Sequence, residues 1–492
     1  MRMRNIDASE GPISRRTVLR ALGGAAAYAA LGGCGDSNSG SNVPYLTNPQ
    51  PIPSGTLVPS SIVVSNTGVG TIGPQFAGLS YDKLSMNLPR FTAQNSDLIG
   101  LFRRLGTSLL RIGGYSVDFV QWAPNGAGQT SGEVAPSDID ALAEFVQATD
   151  WNVLYSVNLA KSTPAAAAGE VAYAAKSLGN RLVGVELGNE CNIYGAYGYF
   201  QNWNLQAFVQ LWEQFRDAIV QAVPDVVMTG PASISDIGSW TIPFGQQVGR
   251  GQIALLTQHY YRGNGLSPTS TAAELISPDA TLIDSLAQLN AGAASIGVPF
   301  RMSETNSFFD LGAIGVSDSY ASSLWVIDYL FNVAIGGGVG VNLTGGGDTG
   351  GYTPIADNDG VVVEARPEYY GTLLFTLAGA GSLFGTSVSA SGLNVTAYAV
   401  KSSQGGVNIV LVNKDSTQSL RVSIDCGQTL NSAVLLLMTA PSLDATSGVT
   451  IQGSGIASDG GFCPGAPYTL PVSGSTVSCY LGALSAALIS VV

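Results

Sequence analysis

Charge is scarce in this chain. Only 11% of its 492 residues are charged, and the 34 acidic side chains outnumber the 21 Lys and Arg. Five of those Arg and two of the acids lie in the first 33 residues. The remainder carries 16 basic and 32 acidic groups, a net charge of about −16 by formal counting. A surface of that sign argues against nucleic acid as a partner and against electrostatic capture of a sulfated polymer. Histidine is nearly absent: His259 stands alone, with no Cys or acid cluster beside it in sequence, and makes a poor metal site. No GxGxxG or GxxxxGK[ST] follows the strand-like run that begins near Phe76, the first to be succeeded by a helical pattern, so a nucleotide-binding fold loses its main support. Neither a cofactor nor a metal is expected.

What is plentiful is glycine (62 residues) and apolar side chains (45%), the balance of a loop-rich globular protein rather than a disordered one. The length allows two or three domains. Residues 1–33 read as a targeting segment. Arg15 and Arg16 precede Val18 and Leu19, and a short apolar stretch then closes on LGGC, the pattern of a twin-arginine signal with a lipoprotein cleavage box at Cys34. Leu19 to Leu31 is too short to span a bilayer. An exported protein is expected, periplasmic or at the cell surface, held to a membrane only by its lipid. Residues 34–60, rich in Ser, Asn, Gly and Pro, are expected as a flexible tether.

Between 61 and 378 eight strand-like runs, beginning near Phe76, Leu109, Val153, Val183, Val226, Leu255, Val298 and Val339, alternate with amphipathic helical patterns. That alternation is the signature of an α/β fold, here a (β/α)8 barrel. From 379 to 492 the helical pattern gives way to short alternating strands, as in a C-terminal β-sandwich. The early run SSIVVSN has no helix after it, and the strand at 61–70 is a candidate to join that β domain.

Two strand ends carry the chemistry. VGVELGNECN closes on Glu190, and VPFRMSETN closes on Glu304, the fourth and seventh runs. Barrel strands present the residues at their C-terminal ends to one face, so both carboxyl groups are expected at a common opening. Two carboxylates with no metal ligands nearby are most often the pair of a glycoside hydrolase, one donating a proton and the other attacking or directing water. Glu190 is assigned the acid/base role and Glu304 the nucleophile. Arg111, in LLRIGG, is placed to pair with Glu304 in the barrel mouth or with Glu186 as a buried structural pair. His259 and Tyr261 share one face of the sixth run, and Tyr260 points oppositely unless a bulge intervenes.

ELGNE, then QHYY, then SETNS, with LRIGG ahead of them, resemble in that order glycoside hydrolase family 79, the β-glucuronidase and heparanase family of clan A, over roughly Ser61 to Leu374. The resemblance implies retention of configuration and gives several residues a part. Asn189 is implied to bond the sugar 2-hydroxyl, Asp118 to bind a sugar hydroxyl, and a Tyr of the pair Tyr260 and Tyr261 to bond the nucleophile. It also implies that the N-terminal strand joins the distant β domain. Phe309 stands in the loop after the nucleophile where the family carries aromatic residues and glycines that receive the uronate carboxylate. Tyr352 matches a family Tyr, and Asp82 in LSYDK replaces a family Glu. Phe308 and Phe309 offer no hydroxyl, Asp310 adds negative charge, and Cys191 follows Glu190 where relatives commonly carry Pro.

Cys191 is expected as a structural thiol, and a disulfide is expected between two of Cys426, Cys463 and Cys479. The expected activity is a retaining, exo-acting β-glycosidase, a β-glucuronidase first. A neutral-sugar β-glycosidase such as a β-glucosidase is the rival, and a non-catalytic carbohydrate-binding protein the more distant one. In each case the partner is a carbohydrate, and oligomeric state is left open.

Overall fold

The computed structural model describes residues 48–347, 351–402 and 406–492. The expected signal and the lipidated Cys34 lie outside the described residues. Eight parallel strands form the inner wall: Ala77–Asp82, Leu109–Gly113, Asn152–Val157, Leu182–Leu187, Thr229–Ile234, Leu255–Asn264, Phe300–Phe309 and Val341–Thr344. Each pairs with the next and the eighth returns to the first. The fourth and fifth meet through a single parallel bridge, Val185 to Met228, which leaves the barrel nearly closed.

Burial explains the run-like sequence of these strands. All five residues of Leu109–Gly113 are buried, as expected where helices cover the outer face and side chains fill the inside. The helices bury one stripe each. In Leu205–Ala222, Phe208, Val209, Trp212, Phe215 and Ile219 recur at three- and four-residue spacing, and Asn204 caps the start by accepting from the Ala207 amide at 3.1 Å.

Apart from two small sheets of three and two strands, the remaining strands form one eleven-stranded sheet, mostly antiparallel, that curls around a core including Ile62, Ile409, Leu420, Ile424 and Ile489. The two layers of the expected sandwich therefore come from one continuous hydrogen-bonded path. Strand Leu57–Ile72, which precedes the barrel, lies in this sheet, antiparallel to Gly381–Ser389 and parallel to Ser419–Asp425. Its alternation places Ile62 and Val64 inward and Val63 outward. The chain is anchored earlier still, which corrects the flexible tether expected through residue 60. Gln50 and Tyr480 exchange two hydrogen bonds of 2.7 and 2.9 Å, and Asn48 donates to Ala466 O at 2.9 Å.

Barrel and sheet are joined along the helix Tyr320–Ile335. Asp328 accepts from Thr396 Oγ1 at 2.6 Å and Tyr398 Oη at 2.8 Å and pairs with Lys414, while Phe331 stacks on Tyr398 with ring centres 4.3 Å apart. The expected disulfide corrects as well: Cys426 and Cys479 are free buried thiols. Val422 is the register partner of Cys479, which sets Cys426 four residues further along the neighbouring strand. That offset is about 13 Å at strand rise, well beyond disulfide reach. Cys191 is likewise free and buried, and burial pushes its thiol up, so it stays protonated.

Candidate active site

At the end of the fourth barrel strand the chain turns sharply. Gly188 has φ 75°, and a Cβ there would lie 2.1 Å from Tyr194 Oη, so the ELGNE motif needs glycine at this position. Glu190 follows with φ 50°, an uncommon conformation for a residue with a side chain, and its amide is held at 2.8 Å by Ala232 O of the fifth strand. On the seventh strand the register against the sixth slips between Met302 and Glu304. This bulge sets which residues after Ser303 look inward.

The two carboxylates converge. One oxygen of Glu190, one of Glu304 and a ring nitrogen of His259 lie within 4.8 Å of one another. Glu304 is held on both oxygens, accepting from Arg111 Nη1 at 2.8 Å and from Tyr261 Oη at 2.9 Å. Burial would raise its pKa, but the charges of His259 and Arg111 and the bonds from Tyr261 and Arg111 outweigh it and hold the group below the usual range. Glu190 meets His259 Nδ1 at 3.1 Å.

Arg111 takes both of the roles considered for it. Fully buried, it donates from Nε to Glu186 at 2.6 Å, from Nη1 to Glu304 and to Ser80 Oγ at 3.2 Å, and from Nη2 to Asn189 Oδ1 at 3.0 Å. For Glu186, burial pulls upward, and Arg111 reverses it. With its oxygen committed to Arg111, Asn189 keeps an amide nitrogen that bonds no partner among the described residues. The guanidinium lies back over its own strand: a Cβ on Gly113 would be 2.6 Å from its central carbon, the physical reason for glycine in LRIGG.

Two expectations fail. Tyr260 points outward, bonds Asp279 at 2.5 Å and stacks on Tyr329 in the helical layer, so it is not a substrate residue. Strand alternation gives the inner face to Tyr261 and His259. Asp118 is buried, with its oxygens engaged by the Leu159, Ala160 and Asn189 amides at 3.1, 3.1 and 3.4 Å and by Tyr194 Oη at 2.5 Å. It braces the turn that carries Glu190 instead of reaching for sugar.

Asp82, Phe309 and Tyr352 lie at the rim. Asp82 is tied to Ser116 and to the Leu84 amide. Burial raises its pKa against those bonds, with Glu304 adding to the rise. Tyr352 has its ring 6.2 Å from Tyr261, and burial, then the charges of Glu304, Asp82, Asp310 and Glu190, push its hydroxyl up. Phe309 is 43% exposed with its ring edge-on to Tyr261 at 6.4 Å. Sequence reasoning missed the supports Ser80, Tyr194 and Thr344, whose hydroxyl lies 3.0 Å from Tyr261 Oη. It also missed the aromatic run YGAYGYF directly after the Glu190 turn, whose density of rings in a loop was a visible signal.

Among the described residues Glu190, His259 and Glu304 form the group whose ligand atoms are close enough for a metal ion. The fit is poor. Arg111 already places a fixed positive charge 2.8 Å from Glu304, where a cation would be repelled.

No family model matches the chain. A β-glucuronidase of Aspergillus niger (strain ATCC MYA-4892 / CBS 513.88 / FGSC A1513) is 26% identical over 296 residues, 52% of this chain and 53% of that protein. The match thus spans about half the length of each. Among solved structures, a 4-O-α-L-rhamnosyl-β-D-glucuronidase from Fusarium oxysporum 12S superimposes with a TM-score of 0.71 at 18% identity, covering 90% of this chain and 100% of that one. A GH51 arabinofuranosidase from Xanthomonas axonopodis pv. citri gives 0.65 at 15% identity over 88% of this chain and 100% of that one. These likenesses establish the fold as that of barrel glycosidases carrying a β-sandwich.

A rigid Arg111 has a measurable consequence. Gly113→Ala should cost about 1–3 kcal/mol, because the guanidinium, bonded to four neighbours, has no free direction in which to retreat. Chemical denaturation of the variant checks this, and a midpoint equal to that of wild type would show that the hub yields.

Proposed function

We propose that this protein is a retaining, exo-acting β-glycosidase of glycoside hydrolase family 79 that removes terminal β-linked glucuronic acid. The carrying observation is the approach of Glu190 and Glu304 to within 4.8 Å at the open end of the barrel. Retaining pairs stand about 5 to 5.5 Å apart, whereas inverting pairs leave about 6.5 to 9.5 Å for a water. Both named glucuronidases among the relatives support the choice of sugar.

In this reading Glu304, kept ionised by Arg111 and Tyr261, attacks the anomeric carbon. As the C–O bond to the leaving group breaks, Glu190 gives that oxygen its proton. The glycosyl ester on Glu304 is then hydrolysed: Glu190, now a carboxylate, takes a proton from water, the resulting oxygen bonds the anomeric carbon, and Glu304 leaves. His259 fixes Glu190 through the 3.1 Å contact, and the free Asn189 amide is placed to bond the 2-hydroxyl as charge develops on the ring. For residues 1–34 the proposal remains a twin-arginine export signal ending in a lipidated Cys34.

A neutral sugar is the second reading, favoured by one feature of the rim. Asp82 and Asp310 add negative charge near Tyr352, and Phe309 supplies no donor. A uronate would have to be received by Tyr352 and backbone amides against that field.

Three measurements test this. Glu304→Ala should lower kcat on the order of 10^4-fold or more, with azide restoring turnover as the α-glycosyl azide; full activity in the variant would exclude Glu304 as nucleophile. Wild type should give a higher kcat/KM on an aryl β-glucuronide than on the aryl β-glucoside, and Phe309→Tyr should widen the gap. The opposite preference would transfer the assignment to the neutral sugar. Tyr261→Phe removes a bond that lowers the Glu304 pKa, so the pKa rises. The acid limb of kcat/KM, which requires ionised Glu304, should then move to higher pH with a loss of about 10- to 100-fold. An unmoved limb would separate Tyr261 from the nucleophile's ionisation.

A further inference from the structure

On the Glu190 side of the cleft the protein leaves large rings in water. Tyr115 is 60% exposed, Tyr197 42% and Phe119 36%, with half-buried Tyr199 beside them. Tyr115 and Phe119 come from the loop after the second barrel strand, Tyr197 and Tyr199 from the loop that follows Glu190. Their ring centres are linked at 5.2 Å (Tyr115 to Phe119), 6.0 Å (Tyr115 to Tyr197), 5.5 Å (Tyr197 to Tyr199) and 5.8 Å (Phe119 to Tyr199). Tyr115 and Tyr197 meet at 84°, which makes a corner rather than a flat patch. Aromatic clusters that serve only stability are buried, and contiguous exposed apolar surface on the edge of a cleft marks a place where something is bound.

The corner is built into the catalytic turn. Tyr197 donates its amide to Ile193 O at 3.1 Å, Tyr199 donates to Tyr194 O at 3.0 Å, and the Tyr199 ring packs on Tyr194 at 5.2 Å. Below them Trp203 Nε1 donates at 2.6 Å to the carbonyl of Cys191, the residue after Glu190. Lys161 lies over Phe119 and Tyr199 at 3.7 and 4.9 Å and closes the outer edge. Burial pushes the Tyr197 hydroxyl up to about 12, with the Glu190 charge the next contributor, in keeping with a ring that faces the acid.

The position decides the ligand. In a double displacement the sugar being cleaved lies against the nucleophile, here beside Tyr261 and Tyr352, and the departing group lies beyond the proton donor. We propose that Tyr115, Phe119, Tyr197 and Tyr199 form the leaving-group subsite, an aromatic corner that stacks the apolar face of a ring, a pyranose or an aryl ring, bonded to the departing oxygen. This rests on the glycosidase reading and adds to it a substrate class: glycosides whose leaving group is itself a ring.

Three substrates of the sugar that wild type prefers isolate stacking from proton donation. The glycosyl fluoride has a leaving group with no ring and needs little acid assistance; the 2,4-dinitrophenyl glycoside has a ring in its leaving group but needs little acid assistance; a β-linked disaccharide has a ring in its leaving group and needs the proton. For Tyr115→Ala, Tyr197→Ala and the double variant, kcat/KM on the two ring-bearing substrates should fall about 3- to 10-fold per ring, while the fluoride stays within about twofold of wild type. A loss on the aryl substrate alone assigns the corner to aryl groups, and a loss on the disaccharide alone assigns it to sugars. A loss on the disaccharide together with the fluoride, or on no substrate, overturns the subsite. So does a loss on the disaccharide accompanied by an unchanged dinitrophenyl rate in a variant whose Glu190 pH limb has moved, since the rings would then only position the acid. If wild type cleaves none of the three, it is the glycosidase reading itself that fails, and the subsite with it.

Discussion

A guanidinium with no access to water governs the centre of this barrel. Arg111 is completely buried, and an isolated charge there would be costly enough to unfold the site, so its partners are not optional. Glu186 supplies the first counter-charge from beneath and Glu304 the second from the mouth. Because Glu186 alone already neutralises the guanidinium, the Arg111–Glu186–Glu304 group keeps a net negative charge, and that surplus is available on the carboxylate nearest the cleft. The same guanidinium holds the oxygen of Asn189, which leaves only the amide end of that side chain to face a ligand. One buried cation therefore fixes Glu304, its ionisation and the neighbouring Asn189.

The cost of this arrangement appears in the backbone around it. Gly113 must lack a side chain so that Arg111 can fold back, Gly188 must lack one so that Tyr194 can reach Asp118, and Glu190 is held in a left-handed conformation. Asp118, with four donors, is the counterpart of Arg111 on the Glu190 side: a buried carboxyl group engaged by amides and a phenol that braces the turn. The two carboxylates are thus held by two buried centres, Arg111 under Glu304 and Asp118 under the turn that carries Glu190.

Much of this was legible in the order of motifs. Strand-like runs ending on Glu190 and Glu304 suffice to predict a shared opening, because in a parallel barrel the ends of all strands face one way. Arg111 could be placed near Glu304, but whether it served Glu186 or Glu304 was undecidable from spacing, and the answer is that a five-donor fork serves both. Side-chain parity was the harder matter. The register slip at Met302 to Glu304 is one residue long and carries no composition signal, yet it helps set the inner face. Asp118 looked like any loop acid because saturation by distant amides leaves no trace in sequence. Nor does the text of the chain reveal that the β domain is one curled path instead of two sheets, since both produce the same alternation.

The cleft is also divided in a way that bears on substrate. Its Glu304 side is acidic, with Asp82 and Asp310 near Glu304 and Tyr352, while its Glu190 side is aromatic and edged by Lys161. Electrostatics of this kind repel an anionic sugar at the first position unless hydrogen-bond donors compensate, and they favour a neutral or stacked ring at the second. Arg111 does not relieve the first position, because it is fully buried and its charge is already matched by Glu186 and Glu304. Recognition of a uronate on this scaffold therefore has to come from hydroxyl and amide donors at the rim and not from a salt bridge. Such donors discriminate by geometry more than by charge, and under the proposed function the preference between a uronic acid and its neutral counterpart would rest on very few side chains, Tyr352 first among them.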